Sequence, residues 1–174
     1  SKSDSSGIFR PFNLGNSLGV QRGIPNDTQD GIYQKFIKGY EITTPLVYNP
    51  IEKCMEILPT IVFAPINNNP EWYYGENDKH YQKGYKFKII QLDNNLKQKY
   101  IELTDELSIR TFCRIDARVE CNSIDEMKQT LKDGATLDNT YFIEINVMPT
   151  IRDNNSFCKS FENIDTNSPI GQCV

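Results

Sequence analysis

Two stretches with strictly alternating side chains constrain this sequence more than any other feature. They read TFCRIDARVE at residues 111–120 and YFIEINVMP at residues 141–149. Successive side chains of an extended backbone point to opposite faces, so each stretch has one apolar face and one chemically active face. The active face of the first consists of Phe112, Arg114, Asp116 and Arg118. In the second we expect Phe142, Glu144 and Asn146 on the active face, opposite Tyr141, Ile143 and Ile145.

If the two stretches pair as antiparallel strands, Asp116, Glu144 and Asn146 converge on one surface with Arg114 beside them. Two carboxylates and an amide oxygen are hard ligands, which suit Mg²⁺ or Mn²⁺ held together with substrate phosphates. A polar strand face can also simply meet water, and alternation alone leaves that reading open. The concentration of oxygen ligands beside an arginine favours the metal.

Composition limits the classes of protein that fit. The chain has 174 residues, 38% of them hydrophobic, which is enough for one globular domain or for two small lobes. No apolar run reaches the length of a bilayer span, and the N-terminus does not have the pattern of a secretory signal. A formal net charge of -4 argues against a nucleic-acid binder, because no basic surplus is present to neutralise phosphates.

The five cysteines are scattered, and the chain has a single histidine. This pattern argues against a zinc site or a disulfide framework and favours a reducing, cytoplasmic setting. The first methionine is Met55, so we expect a fragment or a chain from which upstream sequence has been removed. A homodimer is compatible with the sequence but is not predicted by any pattern in it.

Several segments predict regular structure. The β-branched run at residues 42–48 and the apolar run at residues 58–64 predict strands, with Pro45 at a sheet edge or a bulge. The spacing of apolar residues predicts a helix over residues 93–109, with Asp93 or Asn94 as its N-cap. Its buried face should carry Leu96, Tyr100, Leu103 and Leu107.

A second, shorter helix is predicted to open at the capping box SIDE, residues 123–126, and to end before Gly134. Successive strands without a long helix between them indicate an antiparallel sheet. The fold class predicted is therefore α+β, a largely antiparallel sheet flanked by helices. The polar, aromatic segment at residues 65–84 is either a mobile cover loop or merely an exposed loop.

Four motifs in order resemble those of the ATP-grasp ligases, most closely the ATP-grasp domain of the D-alanine–D-alanine ligase group. RPFNLGNSLG at residues 10–19 is similar to the family's K-P-x-x-x-G-S-S-x-G loop, and QKFIKGYE at residues 34–41 to its E-x-[FYW]-[IL]-x-G-x-E motif. Lys79 lies where a loop lysine of the family is expected. RID at residues 114–116 and EIN at residues 144–146 resemble the R-x-D and E-x-N pairs.

The resemblance implies a role for each matching position. Contact with the ATP phosphates is implied for Arg10, Ser17 and Lys79. An adenine and ribose pocket is implied for Gln34, Phe36, Ile37 and Glu41. Coordination of Mg²⁺ or Mn²⁺ is implied for Asp116, Glu144 and Asn146. Catalytic roles are implied for Arg114, beside the transferring phosphoryl group, and Ser156, which would read the second amino acid's carboxylate.

The sequence departs from the family at informative positions. Arg10 replaces a lysine, Gln34 replaces a glutamate, and Thr150 follows Met148-Pro149 where the family has glycine. The family's N-terminal domain has no counterpart here, so a partial ATP-grasp domain is expected. Residues 1–41 would be part of the small nucleotide-covering lobe, and residues 42–174 the larger metal- and substrate-binding lobe.

The resemblance implies an ATP-dependent carboxylate–amine ligase that forms a peptide-type bond through an acyl phosphate, with amino-acid or small-peptide substrates. Two alternatives stay open. One is a module or degenerate fragment that binds Mg-ATP without ligase activity by itself. The other is an interaction protein that uses the fold without nucleotide, although the retained Asp116, Glu144 and Asn146 argue against it.

Overall fold

The structure, a computed structural model, describes residues 7–12, 18–24, 30–73, 85–149 and 160. The N-terminal part forms a small antiparallel sheet of three strands in the order β2-β1-β3. These strands are β1 (Gly7–Pro11), β2 (Gln21–Arg22) and β3 (Gly31–Lys35). Strand β3 is largely exposed, so it is held in the sheet by backbone hydrogen bonds to β1 rather than by burial of apolar side chains.

The remaining strands form a larger antiparallel sheet of six strands. They are β4 (Gly39–Asn49), β5 (Cys54–Ile57), β6 (Thr60–Pro65), β7 (Tyr85–Ile90), β8 (Phe112–Glu120) and β9 (Thr140–Asn146). The order is β7-β6-β4-β8-β9, with β5 paired to the far end of β4. In the described ranges before residue 150, two helices accompany the sheet, α1 (Asn94–Glu106) and α2 (Ile124–Asp133), and a short 3₁₀ helix spans Leu137–Asn139. The predicted α+β class is confirmed.

Pro45 lies in a central strand, so the prediction of a sheet edge there is wrong, whereas the ladder of β4 is irregular at Pro45 on one side. Strand β4 pairs with β8 on one side, and on the other side first with β6 and then with β5. Pro45 falls between these last two partners, where its carbonyl accepts from the Leu58 N–H at 2.9 Å. The missing N–H of Pro45 points to this gap in the ladder and therefore costs no strand-to-strand hydrogen bond.

A β-bulge between β8 and β9 changes which side chains of β9 share a face. Asp116 pairs with Glu144, but Ala117 pairs with Phe142 and Arg118 with Tyr141. The extra residue reverses the alternation, so the predicted faces of Tyr141 and Phe142 are wrong. Phe142 packs edge-on against Tyr100 of α1 at 5.3 Å, on the apolar side of the sheet. Glu144 and Asn146 keep the predicted polar face.

Helix α1 covers the apolar side of the sheet, and Asp93 caps its N-terminus by accepting from the Leu96 N–H at 2.7 Å. Its fully buried residues are Leu96, Tyr100 and Thr104. Leu107, predicted to be in the buried stripe, is 57% exposed because the helix ends at Glu106. Burial of each large side chain contributes about 1.5–3 kcal/mol to folding.

Helix α2 begins as predicted, with the Ser123 hydroxyl accepting from the Glu126 N–H at 3.1 Å. The reciprocal bond runs from the Asn122 N–H to Glu126, one residue earlier than in a standard capping box. Gly134 ends the helix with a φ of 113°, a value that favours glycine. Within the part of the chain that the structure describes, no helix is long and apolar enough to cross a membrane.

The cysteines provide a test of the core. Cys113 and Cys121 are buried, and burial raises the pKa of the Cys113 thiol to about 11. Cys54 is partly exposed. At pH 8 we expect N-ethylmaleimide to modify Cys54 in the native protein, whereas Cys113 and Cys121 react only after denaturation, because they are inaccessible and protonated. Peptide mapping by mass spectrometry measures this, and equally fast labelling of Cys54 and Cys113 would contradict the fold.

Candidate active site

The register of three neighbouring strands collects polar side chains on one face of the large sheet. In the pairing of β4 with β8, Glu41 lies opposite Arg118 and Thr43 opposite Asp116. On the other side of β8, Asp116 lies opposite Glu144. Residues directly opposite each other in a ladder point to the same face. This face is turned away from helix α1, whose buried residues pack on the opposite side.

Asp116 is the most heavily hydrogen-bonded carboxylate of this face. Its Oδ1 accepts from the Thr43 hydroxyl at 2.8 Å and from Arg114 Nε at 2.9 Å. Its Oδ2 accepts from Arg114 Nη2 at 2.7 Å and from Asn146 Nδ2 at 3.0 Å. Burial raises the pKa of Asp116, and the contacts with Arg114 and Thr43 offset this only in part. Buried carboxylates whose pKa is perturbed by desolvation and by a charged partner are enriched in functional sites.

Glu144 connects the two sheets. Its Oε2 accepts from Arg10 Nη2, on strand β1 of the small sheet, at 2.5 Å, and its Oε1 accepts from Asn146 Nδ2 at 3.0 Å. Burial raises the pKa of Glu144, but the hydrogen bonds from Asn146 and Arg10 outweigh it and hold the pKa below its usual range. We call Asp116, Glu144 and Asn146 the acidic cluster.

The acidic cluster offers two carboxylates and one amide, which are side chains whose oxygens can bind a divalent cation. Among the described residues, no group of three or more His, Cys, Asp or Glu side chains is arranged so that it could hold a metal ion. Magnesium nevertheless needs only one or two protein carboxylates, because waters and substrate phosphates complete its octahedral shell. Asn146 now directs its amide nitrogen at both carboxylates. Binding of a cation by both carboxylates and the Asn146 amide oxygen would therefore require this amide to turn.

A second polar cluster lies beside the first, around Arg118. The Arg118 guanidinium donates to the carbonyls of Ile37 at 2.6 Å, Gly39 at 2.9 Å and Trp72 at 2.8 Å. It also forms an ion pair with Glu41 at 3.0 Å. We call residues 36–38, between β3 and β4, the linker, because they join the two sheets.

Phe36 fills the joint between the sheets. Its ring is 5% exposed and packs edge-on against Tyr73 at 6.5 Å. The guanidinium carbons of Arg22 and Arg118 lie 3.7 and 4.8 Å from the ring centroid. Each such cation–π contact contributes about 0.5–2 kcal/mol, depending on its exposure to water.

Solved structures with a similar fold share this arrangement of sheets over most of the chain. The D-alanine–D-alanine ligase from Bacillus anthracis complexed with ATP is 17% identical, with a TM-score of 0.57, covering 90% of this chain and 47% of that one. The D-alanyl-alanine synthetase A from Vibrio cholerae O1 is 16% identical, with a TM-score of 0.57, covering 91% of this chain and 47% of that one. The chain has the ATP-grasp ligase fold.

The chain thus spans about half the length of these ligases. Identities this low show the fold alone. No family model matches the sequence, and no curated protein sequence matches it.

The ATP-grasp fold brings many of the predicted site residues to one face, at two neighbouring places. Arg10 and Arg114 contact the acidic cluster, and Glu41 lies with the linker at the Arg118 cluster. Gln34 is exposed on β3, opposite Ile8. Three further predicted residues, Ser17, Lys79 and Ser156, lie outside the described residues.

Sequence reasoning assigned no role to Arg118 or Thr43. The alternation of β8 placed Arg118 on the polar face, and this position was the one sequence feature that pointed to a role for Arg118 in the site. No sequence feature indicated a role for Thr43 in the site, because the residues around it predict only a β-branched strand. Its contact with Asp116 depends on the register of two strands that are distant in sequence.

The joint around Phe36 can be tested by stability. Phe36→Ala removes a buried ring and its contacts with Arg22 and Arg118, so we expect it to lower the free energy of unfolding by about 2–3 kcal/mol. Phe12→Ala is the matched control, because Phe12 is 63% exposed. It should change stability by less than ~0.5 kcal/mol. Urea denaturation measures both variants, and equal effects would contradict the packing described here.

Proposed function

We propose that this chain binds Mg-ATP and is the nucleotide-binding part of an ATP-dependent carboxylate–amine ligase. The observation that carries the proposal is the position of the acidic cluster with Arg114 and Arg10, at the junction of two sheets in an ATP-grasp fold. Such a junction can contact a triphosphate from both sides. A solved ligase of the same fold, complexed with ATP, supports the assignment.

In this proposal the triphosphate lies between Arg10 and the acidic cluster. Arg10 would exchange its ion pair with Glu144 for one with a phosphate, and a guanidinium can bind two phosphate oxygens at once. Ser17 and Lys79 would supply further phosphate contacts. Gln34, Phe36, Ile37 and Glu41 would hold the nucleoside, with Glu41 accepting from the ribose hydroxyls.

Asp116, Glu144 and Asn146 would hold Mg²⁺ or Mn²⁺. The bound ion would neutralise charge on the β- and γ-phosphates during transfer. Arg114 lies beside these residues and is oriented by its bidentate contact with the Asp116 carboxylate. It would stabilise the transferring phosphoryl group and then the oxyanion of the second step. Ser156 is proposed to bind the carboxylate of the incoming amino acid.

The reaction proposed has two steps. A substrate carboxylate oxygen attacks the γ-phosphorus of ATP, the bond to the β-phosphate oxygen breaks, and an acyl phosphate and ADP result. The amine of a second amino acid or small peptide then attacks the acyl carbon, phosphate leaves, and the amine loses a proton. The acyl phosphate must be protected from hydrolysis. We propose that the loop at residues 65–84 excludes water from it.

A second candidate is a Mg-ATP-binding module without ligase activity by itself. The observation that favours it is the extent of the match, because the chain covers 47% of each ligase. Substrate contacts supplied by the other half of such a ligase would then be missing. Both candidates fit a reducing, cytoplasmic setting, which the free thiols of Cys54, Cys113 and Cys121 support.

Titration calorimetry tests nucleotide binding. We expect ATP to bind wild-type protein more tightly with Mg²⁺ than without it. Glu144→Gln should lose most of this gain, about tenfold in affinity or more, equivalent to ~1.4 kcal/mol. Without Mg²⁺ the same variant should bind ATP at least as well as wild type, because Arg10 no longer faces a carboxylate.

Glu102→Gln, on the exposed side of α1, is the matched control and should behave as wild type. No binding of Mg-ATP by wild type would overturn the proposal, and an unchanged Mg²⁺ gain in Glu144→Gln would overturn the metal assignment. If the protein releases ADP and phosphate from ATP only when a particular pair of amino acids is present, the first candidate, the ligase, is correct. Binding without such release identifies the module.

A further inference from the structure

Arg118 contacts several separate segments of the chain, and the proposed function gives this residue no role. It is 6% exposed, although it carries a charge that strongly prefers water. Four of its hydrogen bonds reach the linker carbonyl of Ile37, the carbonyls of Gly39 and Trp72, and the carboxylate of Glu41. A guanidinium has five N–H donors, so these contacts use most of its capacity.

These contacts add to the packing of Phe36 and to the backbone hydrogen bonds of Lys38 and Gly39, which also hold this part of the chain. The Lys38 carbonyl of the linker accepts from the Cys121 N–H at 3.0 Å, just after β8. The next residue, Gly39, lies so close to β8 that a Cβ would be 1.9 Å from the Val119 carbonyl. Trp72 belongs to the loop that follows β6. Arg118 therefore joins strand β8, the linker and this loop through one planar group of fixed geometry.

Glu41 is oriented by the same guanidinium. Its Oε1 is paired with Arg118, and its side chain is still 25% exposed at the polar face. Part of the Glu41 side chain therefore stays accessible to a ligand while Arg118 holds one of its carboxylate oxygens. The acidic cluster lies apart from these contacts, since Asp116 is bound by Arg114, Thr43 and Asn146 instead.

We propose that Arg118 is a positioning residue for the nucleoside half of the ligand: it holds the linker and Glu41 where they meet base and ribose. This inference rests on the proposed function. It divides the site into two separable parts, one around Arg118 for the nucleoside and one around the acidic cluster for the triphosphate.

The test compares Mg-ATP with Mg-tripolyphosphate, which lacks base and ribose, by titration calorimetry. Arg118→Met keeps the length of the side chain but removes every donor. We expect it to weaken Mg-ATP binding about tenfold or more and to leave Mg-tripolyphosphate binding within about twofold of wild type. Arg118→Lys should not restore Mg-ATP binding, because one ammonium cannot reproduce the four contacts.

Two further variants separate positioning from stability. Glu41→Gln keeps the side-chain shape and should show the same selective loss for Mg-ATP. Arg110→Met is the matched control, since Arg110 pairs with Asp105 and its side chain is 45% exposed. It should bind both ligands as wild type does. Circular dichroism at the titration temperature identifies the folded fraction of each variant.

The outcomes are distinct. If wild type binds neither ligand, the proposed function fails. If wild type binds Mg-ATP, and folded Arg118→Met binds it equally well or loses both ligands in the same proportion, the positioning role of Arg118 is wrong. Should Arg118→Met fail to fold, Glu41→Gln and Arg118→Lys decide the same question. Equal effects on the two ligands in those variants would also overturn it.

Discussion

The pairing of β4 with β8 is the constraint on which the rest of the structure depends. It runs from Gly39 to Val47 and fixes which residues of two sequence-distant strands face each other. Because side chains alternate, the same register places Tyr40, Ile42 and Leu46 in the core and Glu41 and Thr43 on the polar face. A slip of one residue would exchange these faces and bury the carboxylate of Glu41 without Arg118.

Charge on the polar face is balanced locally. Asp116 faces Arg114, Glu144 faces Arg10, and Glu41 faces Arg118, so each carboxylate has a guanidinium within 3.0 Å. Two of these arginines lie on β8 itself, whereas Arg10 comes from the small sheet. A ligand that draws Arg10 away from Glu144 would therefore change a contact between the two sheets without disturbing the other two pairs. If a phosphate binds Arg10 as proposed, the contact between the two sheets would change with it.

The strands and helices with strong local patterns could be predicted from the sequence. Both helices were found through apolar spacing and capping residues, and β4, β6, β8 and β9 through alternation or β-branched runs. The exposed strand Gly31–Lys35 was not predicted, because partners elsewhere in the chain define it. The faces of Tyr141 and Phe142 were wrong for a similar reason. A bulge is set by two strands together, and neither sequence encodes it alone.

For the site, the order of the motifs predicted that Asp116, Glu144 and Asn146 lie together, and the register of the strand ladder explains why they meet. What the motifs could not supply was the environment of these residues, in particular the hydrogen bond from Thr43 and the contacts of Arg118. Both depend on backbone positions brought together by long-range pairing. Local sequence therefore indicated which polar side chains lie together better than it indicated the contacts that support them.

The proposed function depends on binding of a metal ion by the acidic cluster, next to the phosphates of the nucleotide. A crystal structure of the chain with a non-hydrolysable ATP analogue and Mn²⁺ tests it most directly, because the anomalous signal locates the ion. We predict a peak about 2.1 Å from carboxylate oxygens of Asp116 and Glu144, with the phosphates on its other side. An ion or nucleotide bound away from both carboxylates, with Arg10 still on Glu144, would contradict the account.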